Sequence, residues 1–238
     1  MYGERGKIGL IVPSANTVME PEFSKMAPAG IATFATRMFL KEVKVETLAK
    51  MAEEVDRAVR ELSTAQVDVM VFGCTSGSLL KGAEWDKQIV GRMEKAGQIP
   101  SITTSGSVVK ALEAIGARRI AVATPYLDEL NIRVKQFLEQ HGFEVTETKG
   151  LGLSKGIEIG NQYPETAYDL AKCVYRPGTD TVFISCTDFR TIEIIEKLER
   201  ELCVDVITSN QASFWYALKR MKYSEPVKGY GKLLSAVK

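Results

Sequence analysis

The sequence predicts an α/β protein of two pseudo-symmetric halves, each with its own parallel sheet, and an active site in the cleft between them. Three observations predict it. Apolar runs of strand length alternate with amphipathic helical stretches, the order that builds right-handed βαβ units. The run Asp68-Val-Met-Val-Phe-Gly-Cys74-Thr75 returns 112 residues later as Asp180-Thr-Val-Phe-Ile-Ser-Cys186-Thr187. No low-complexity linker parts the two copies, which points to a tight interface between them.

The elements follow in order. Lys7 to Pro13 reads as a first strand, stopped by a proline that has no N–H for a ladder. Ser14-Ala-Asn16 opens a loop and a short helix, and Ile31 to Phe39 is a second, weaker strand. Glu46 to Leu62 carries Leu48, Met51, Val55, Val59 and Leu62 at helical spacing. After the first cysteine strand come a helix from Trp85 to Ala96, a short strand from Pro100 to Ser105 and a helix from Val108 to Ile115. The pattern then restarts at Arg119, with Ile120 and Pro125 standing for Ile8 and Pro13. A helix from Leu127 to Gln140, a strand from Glu144 to Gly150 and a helix from Pro164 to Val174 lead to the second cysteine strand. A helix from Thr191 to Leu202, a strand from Asp205 to Asn210 and a helix from Ala212 to Met221 complete the chain. The last strand matches its counterpart at an offset of 105, so seven fewer residues separate Cys186 from its following strand than separate Cys74 from its own. We divide the chain into 1–98 plus 207–238, and 99–206.

Composition narrows the function. The 31 basic and 30 acidic residues leave a net charge of +1 without charged runs, which argues against nucleic-acid and membrane partners. No apolar stretch reaches a membrane span and the start is too polar for a signal peptide, so a cytoplasmic location is expected. Four cysteines without a CxxC read as free thiols. The single histidine, His141, leaves no His-based metal site or Ser-His-Asp triad unless it serves itself; just before Gly142 it reads as a helix C-terminal cap.

Candidate chemistry gathers at strand C-terminal ends, where ligands collect in open α/β sheets. Cys74 and Cys186 both lie there, each before a helical stretch whose N-terminus favours thiolate. Ser14-Ala-Asn16, Thr75-Ser76-Gly77-Ser78, Tyr126 and Thr187-Asp188 fall at equivalent edges. Short Ser, Thr and Gly residues leave N–H groups free for an anion, with carboxylate the natural one, since neither phosphate-binding glycine motif is present. Two facing thiols suit chemistry at a planar carbon. Bland readings stand beside these: Asn16 and Asp188 as helix caps, Tyr126 as a half-buried aromatic and Asn161 as the start of a turn. Cys173 and Cys203 fall on apolar helix faces and read as small hydrophobes.

The chain resembles the maleate cis-trans isomerase branch of the aspartate/glutamate racemase superfamily along nearly its whole length. The resemblance is carried by Ile8-Gly-Leu-Ile-Val-Pro-Ser-Ala-Asn16-Thr with Glu20, Gly73-Cys74-Thr-Ser, Ala123-Thr-Pro-Tyr126 and Gly160-Asn161. Further on it is carried by Ser185-Cys186-Thr, Ile207-Thr-Ser-Asn-Gln211-Ala and Gly229-Tyr-Gly-Lys-Leu-Leu234. It implies two pseudo-symmetric, Rossmann-like α/β domains, a homodimer, no metal and no organic cofactor. It also implies that Asn16, Cys74, Tyr126, Asn161 and Cys186 line the site. With Ser14, Thr75, Ser76 and Thr187 from the adjoining loops, these are the candidate site residues. Related arylmalonate decarboxylases have glycine at the first cysteine position, whereas this chain has Cys74.

The expected activity is cofactor-independent isomerisation of a small dicarboxylate, maleate to fumarate. Cys74 adds to the alkene, Cys186 acts from the opposite face, the resulting single bond turns, and elimination gives the trans acid. The resemblance, and not the sequence itself, makes Cys74 the group that adds. A two-cysteine racemase or epimerase of an amino acid or hydantoin is the alternative within enzymes. A non-catalytic carboxylate-binding protein is the alternative outside them.

Overall fold

The computed structural model describes residues 1–236. The first half runs β1 (Gly6–Pro13), α1 (Met19–Met26), β2 (Ile31–Met38), α2 (Val45–Met51), α3 (Val55–Ser63), β3 (Val69–Phe72), α4 (Thr75–Leu79), α5 (Ala83–Gly97), β4 (Ser101–Thr103) and α6 (Thr104–Ile115). The second runs β5 (Arg119–Thr124), α7 (Asp128–Gln140), β6 (Glu144–Gly150), α8 (Gly156–Gly160), α9 (Pro164–Val174), β7 (Thr181–Ile184), α10 (Ile195–Leu202) and β8 (Asp205–Thr208). Helices α11 (Ser209–Arg220) and α12 (Lys232–Ser235) follow.

Among the described residues the strands form two parallel four-stranded sheets, ordered β2-β1-β3-β4 and β6-β5-β7-β8. The registers of the inner pairs repeat at the two offsets, whereas β5–β6 slips by one residue after Ile120 relative to β1–β2. Ile8 lies beside Val69 and Ile120 beside Thr181, while Met70 lies beside Ser101 and Val182 beside Val206. Every residue of β3 and β7 is buried, because helices cover both sheet faces; this is why these strands read as unbroken apolar runs. Helix α11 packs on β3, β4 and α6, and α6 also packs on β8, so the two helices lie between the sheets. Phe23 of α1 meets Phe214 of α11 edge-on at 5.2 Å, tying the first helix to the last long one. Among the described residues no helix is long and apolar enough to cross a membrane.

Several boundaries differ from the sequence expectation, each for a local reason. The division at 98/99 puts β4 with the second half, but β4 pairs with β3 in the first sheet. The division at 206/207 likewise cuts β8, which pairs with β7 throughout. The last two residues of the 207–238 segment lie outside the described residues. The helix expected over 46–62 breaks at a 3-10 turn, Ala52–Glu54, where Arg92 takes the freed Ala52 carbonyl at 3.2 Å. Helix α6 begins early because Thr103 Oγ1 caps it, accepting from Gly106 N–H at 3.0 Å. A capping box of Thr208 and Gln211 starts α11 in the same way. Helix α10 begins late because the N–H groups of Thr191 and Ile192 point instead to Glu22 Oε1, at 2.7 and 3.2 Å.

Candidate active site

The two cysteine loops meet over the seam between the sheets. Cys74 follows β3 and is the N-cap of α4, with its Sγ accepting from Gly77 N–H at 3.4 Å and lying 3.8 Å from Ser76 Oγ. Cys186 follows β7 with φ at +112°, a backbone region that non-glycine residues rarely enter. Its Sγ accepts from Asp188 N–H at 3.4 Å, and its own N–H donates to Ser209 Oγ at 3.0 Å. No helix begins at Cys186. The expectation of a helix N-terminus behind each cysteine therefore holds for Cys74 only.

One cavity is lined by both thiols together with Pro13, Ala15, Asn16, Thr75, Ser76, Tyr126, Thr187 and Asp188. Leu40, Lys41, Val43 and Gly156 close its mouth. That cover is joined across the halves: Val43 N–H donates to the Ser154 carbonyl at 2.7 Å, and Glu42 bridges Lys155. Cys74 and Cys186 are only 4% and 6% exposed, so chemistry here proceeds away from bulk water.

Asn16 does both things that its sequence left open. Its Oδ1 accepts from Val18 and Met19 N–H groups at 3.0 and 2.9 Å, capping α1. Its Nδ2 donates to Thr187 Oγ1 at 3.1 Å, and Thr187 in turn donates to the Gly73 carbonyl at 3.0 Å. Thr75 Oγ1 donates to Ser209 Oγ at 2.9 Å, linking the Cys74 loop to the group that holds Cys186. The fully buried Tyr126 hydroxyl faces the Cys186 thiol. Ser14 lies outside the lining and staples the cover instead, its Oγ accepting from Leu40 N–H at 3.0 Å.

Asn161 is not brought to the site. It is an exposed C-cap of α8, and Gly156 at the other end of that helix lines the cavity. A β-carbon at Gly156 would stand 2.8 Å from Ala15 Cβ, so glycine is what allows this close approach. The cover residues Leu40, Lys41 and Val43 escaped sequence reading because a loop of this kind has no periodicity. Asp188 is the carboxylate in the lining that the candidates left out. Its Oδ1 accepts from Thr17 N–H at 2.7 Å, reaching back to the first half and not to a following helix.

Burial sets the charge states. It pushes the Cys74 thiol up to about 11, with Asp188 adding to the effect and the Gly77 N–H and Ser76 hydroxyl opposing it. Burial also raises Cys186, above Cys74, against the pull of Tyr126 and Asp188 N–H. The lowering expected for both thiols is thus not what the closed cavity imposes. Asp188 itself is carried up to about 7 by burial, so it is poised to gain or lose a proton near neutrality. Among the described residues there is no group of three or more His, Cys, Asp or Glu side chains that could hold a metal ion. Cys173 and Cys203 are exposed, contrary to their reading as buried hydrophobes: the first lies at the outer end of α9, the second is the left-handed C-cap of α10.

Fold and site together define a two-half α/β enzyme that presents one thiol from each half to a shared, solvent-shielded cavity. The chain belongs to the arylmalonate decarboxylase family, whose profile matches residues 8–234. It is 33% identical to a maleate isomerase of Pseudomonas putida, over 96% of this chain and 97% of that one. It is 29% identical to the arylmalonate decarboxylase of Bordetella bronchiseptica, over 95% of both chains. The crystal structure of a variant of the maleate isomerase Iso from Pseudomonas putida S16, solved with maleate, superposes with a TM-score of 0.93 at 27% identity, covering 97% of this chain and 98% of that one.

Proposed function

We propose that this protein is a cofactor-independent isomerase that converts maleate to fumarate. The observation that carries the reading is the pair of buried thiols, one from each half, on one cavity. Binding alone requires neither. Cys74 is the nucleophile, because it is the more readily ionised thiol and has the Gly77 N–H and a helix N-terminus behind it. After the Cys74 S–H has lost its proton to solvent, the thiolate sulfur forms a bond to one alkene carbon while the Cys186 S–H delivers its proton to the other. The succinyl thioether that results has a single bond between those carbons, and rotation is then free. Cys186 thiolate takes a proton back, the C–S bond breaks towards Cys74, and fumarate leaves.

Charge that builds on the substrate carboxylate during addition needs fixed donors. The backbone N–H groups of Thr75, Ser76 and Thr187 and the second amide hydrogen of Asn16 would supply them, and the Asn16–Thr187 and Thr75–Ser209 bonds already hold both loops in place, so little reorganisation accompanies the reaction. Decarboxylation is disfavoured by Cys74, since the related decarboxylases have glycine there. Racemisation of an amino acid is the second reading, supported by Asp188 in the lining, which could meet an α-ammonium group. The same resemblance supports a homodimer, and four free cysteines suit the reducing cytoplasm. The test is incubation with maleate followed by proton NMR, with D- and L-aspartate and glutamate in parallel. Fumarate appearing from maleate alone supports the isomerase; inversion of an amino acid without fumarate overturns it.

A further inference from the structure

One matching stretch, Thr208-Ser-Asn-Gln211, has no role in the chemistry above, yet all four residues are fully buried beside the Cys186 loop. Neither Asn210 nor Glu22 lines the cavity, and each is almost wholly enclosed. Glu22 lies on α1 of the first half and reaches across to the second. Its Oε1 accepts from Thr191 and Ile192 N–H groups, and its Oε2 accepts from Asn210 Nδ2 at 2.7 Å. The same Asn210 Nδ2 donates its second hydrogen to the Thr187 carbonyl at 3.0 Å. Asn210 Oδ1 is left buried without a partner, which is unfavourable. The amide accepts that cost in the one orientation that serves two acceptors with a single nitrogen.

The segment thus gripped is the one that needs gripping. Cys186 holds a positive φ that a non-glycine residue keeps only when its surroundings over-determine it. Behind it stand the Ser209 hydroxyl on the Cys186 N–H, the Asn210 amide on the Thr187 carbonyl and the Glu22 carboxylate on the N–H groups of Thr191 and Ile192. We propose that Glu22 and Asn210 form a positioning pair, in which Asn210, oriented by the Glu22 carboxylate, holds the Thr187 carbonyl and so fixes the aim of the Cys186 thiol. The pair touches neither substrate nor sulfur and acts only through the loop.

The chemistry of the amide separates this role from ordinary support. In Glu22→Gln the two backbone N–H groups keep the side-chain oxygen, so the new NH2 faces Asn210. Asn210 must then turn its oxygen towards that NH2, and it releases the Thr187 carbonyl. In the double variant Glu22→Gln/Asn210→Asp the pair is bonded again with reversed polarity, but the introduced carboxylate has no hydrogen for Thr187. Pairing and aiming therefore come apart.

The inference rests on the maleate reading, so one measurement needs no substrate. Steady-state kinetics with maleate, thermal melting, and amide hydrogen exchange of residues 186–192 by mass spectrometry would be run on the wild type and both variants. Glu22→Gln is expected to lower kcat by about 10- to 100-fold with KM changed less than about threefold, at an unaltered or higher Tm. Exchange across 186–192 is expected to quicken several-fold while the rest of the chain is unchanged. The double variant is expected to remain as slow as Glu22→Gln. Near wild-type kcat in Glu22→Gln, unchanged exchange of the loop, or recovery of kcat in the double variant would each overturn the proposal. If Glu22→Gln fails to fold, Asn210→Ser decides: it too removes the donor to Thr187, and an unchanged kcat overturns the pair. A wild type that ignores maleate counts against the isomerase reading alone, and the exchange arm still tests the pair.

Discussion

The buried Glu22 makes stability depend on pH in the direction opposite to that of a salt-bridged carboxylate. Burial raises its carboxyl from 4.5 to about 7, although three hydrogen bonds pull the other way. A carboxyl that holds its proton more tightly folded than unfolded favours the fold while protonated. Its contribution is fully present below about pH 4.5 and is lost as the pH rises through about 7. With those two values, linkage gives a loss of about 2 kcal/mol between about pH 5.5 and pH 8. A glutamine in its place does not titrate. The difference in unfolding free energy, Glu22→Gln minus wild type, should therefore grow by about 2 kcal/mol over that range, measured by urea unfolding at each pH. Asp188 and Asp86 are also raised by burial, but they are present in both proteins and cancel in the difference. Parallel stability curves for the two proteins from about pH 5.5 to pH 8 would show that Glu22 is not held as described, and the reasoning would fail.

Other outcomes follow from the same geometry. Cys74→Ser and Cys186→Ser should each cut maleate turnover by at least about 1,000-fold with Tm nearly unchanged, since a serine hydroxyl without an adjacent base is a poor nucleophile and acid; near wild-type kinetics in either would refute the two-thiol mechanism. Cys173→Ser and Cys203→Ser should leave both turnover and melting as they are, because both thiols are exposed. Asn161→Ala should keep kcat and KM within about twofold, and a large rise in KM would return that residue to the site. Gly160→Ala places a β-carbon 3.0 Å from Asp188 Oδ1 and against Thr17; it should destabilise by about 1–3 kcal/mol, read by urea unfolding, and weaken substrate binding.

The repeat was legible because parallel strands buried on both faces must be written in continuous apolar residues, and both cysteine strands are. The offsets of 112 and 105 match the pairs on either side of the two cysteine strands, with Met70 beside Ser101 and Val182 beside Val206, but gave no sign of the one-residue slip in β5–β6. Five-residue helices such as α4 and α8 were not legible, because one turn is too short to show a period. The early start of α6 had a signal in plain view. Thr104-Ser-Gly-Ser107 repeats Thr75-Ser-Gly-Ser78, and the two stretches meet at Ser78 Oγ and Ser105 Oγ, 2.7 Å apart. Cys74 could be placed from local pattern, while Ser209 and Asn210 reach the Cys186 loop from 23 residues away and Glu22 from 169, separations that leave no local mark. Asn161 was given a place at the site by the resemblance alone, while its own sequence read as the start of a turn, close to the helix end it occupies.

The seven residues by which the halves differ carry a lesson for protein engineers. They lie in the next long helix, 15 residues in α5 against 8 in α10, since each of these helices begins nine residues after its cysteine. Over equal lengths of chain a short helix forms behind Cys74 and a turn with positive φ forms at Cys186, so backbone conformation and not length makes the two sulfurs unequal. Swapping the labour of the two cysteines would therefore call for refolding the backbone of both loops. Exchange of side chains alone would leave the handedness of the reaction where the backbone has put it.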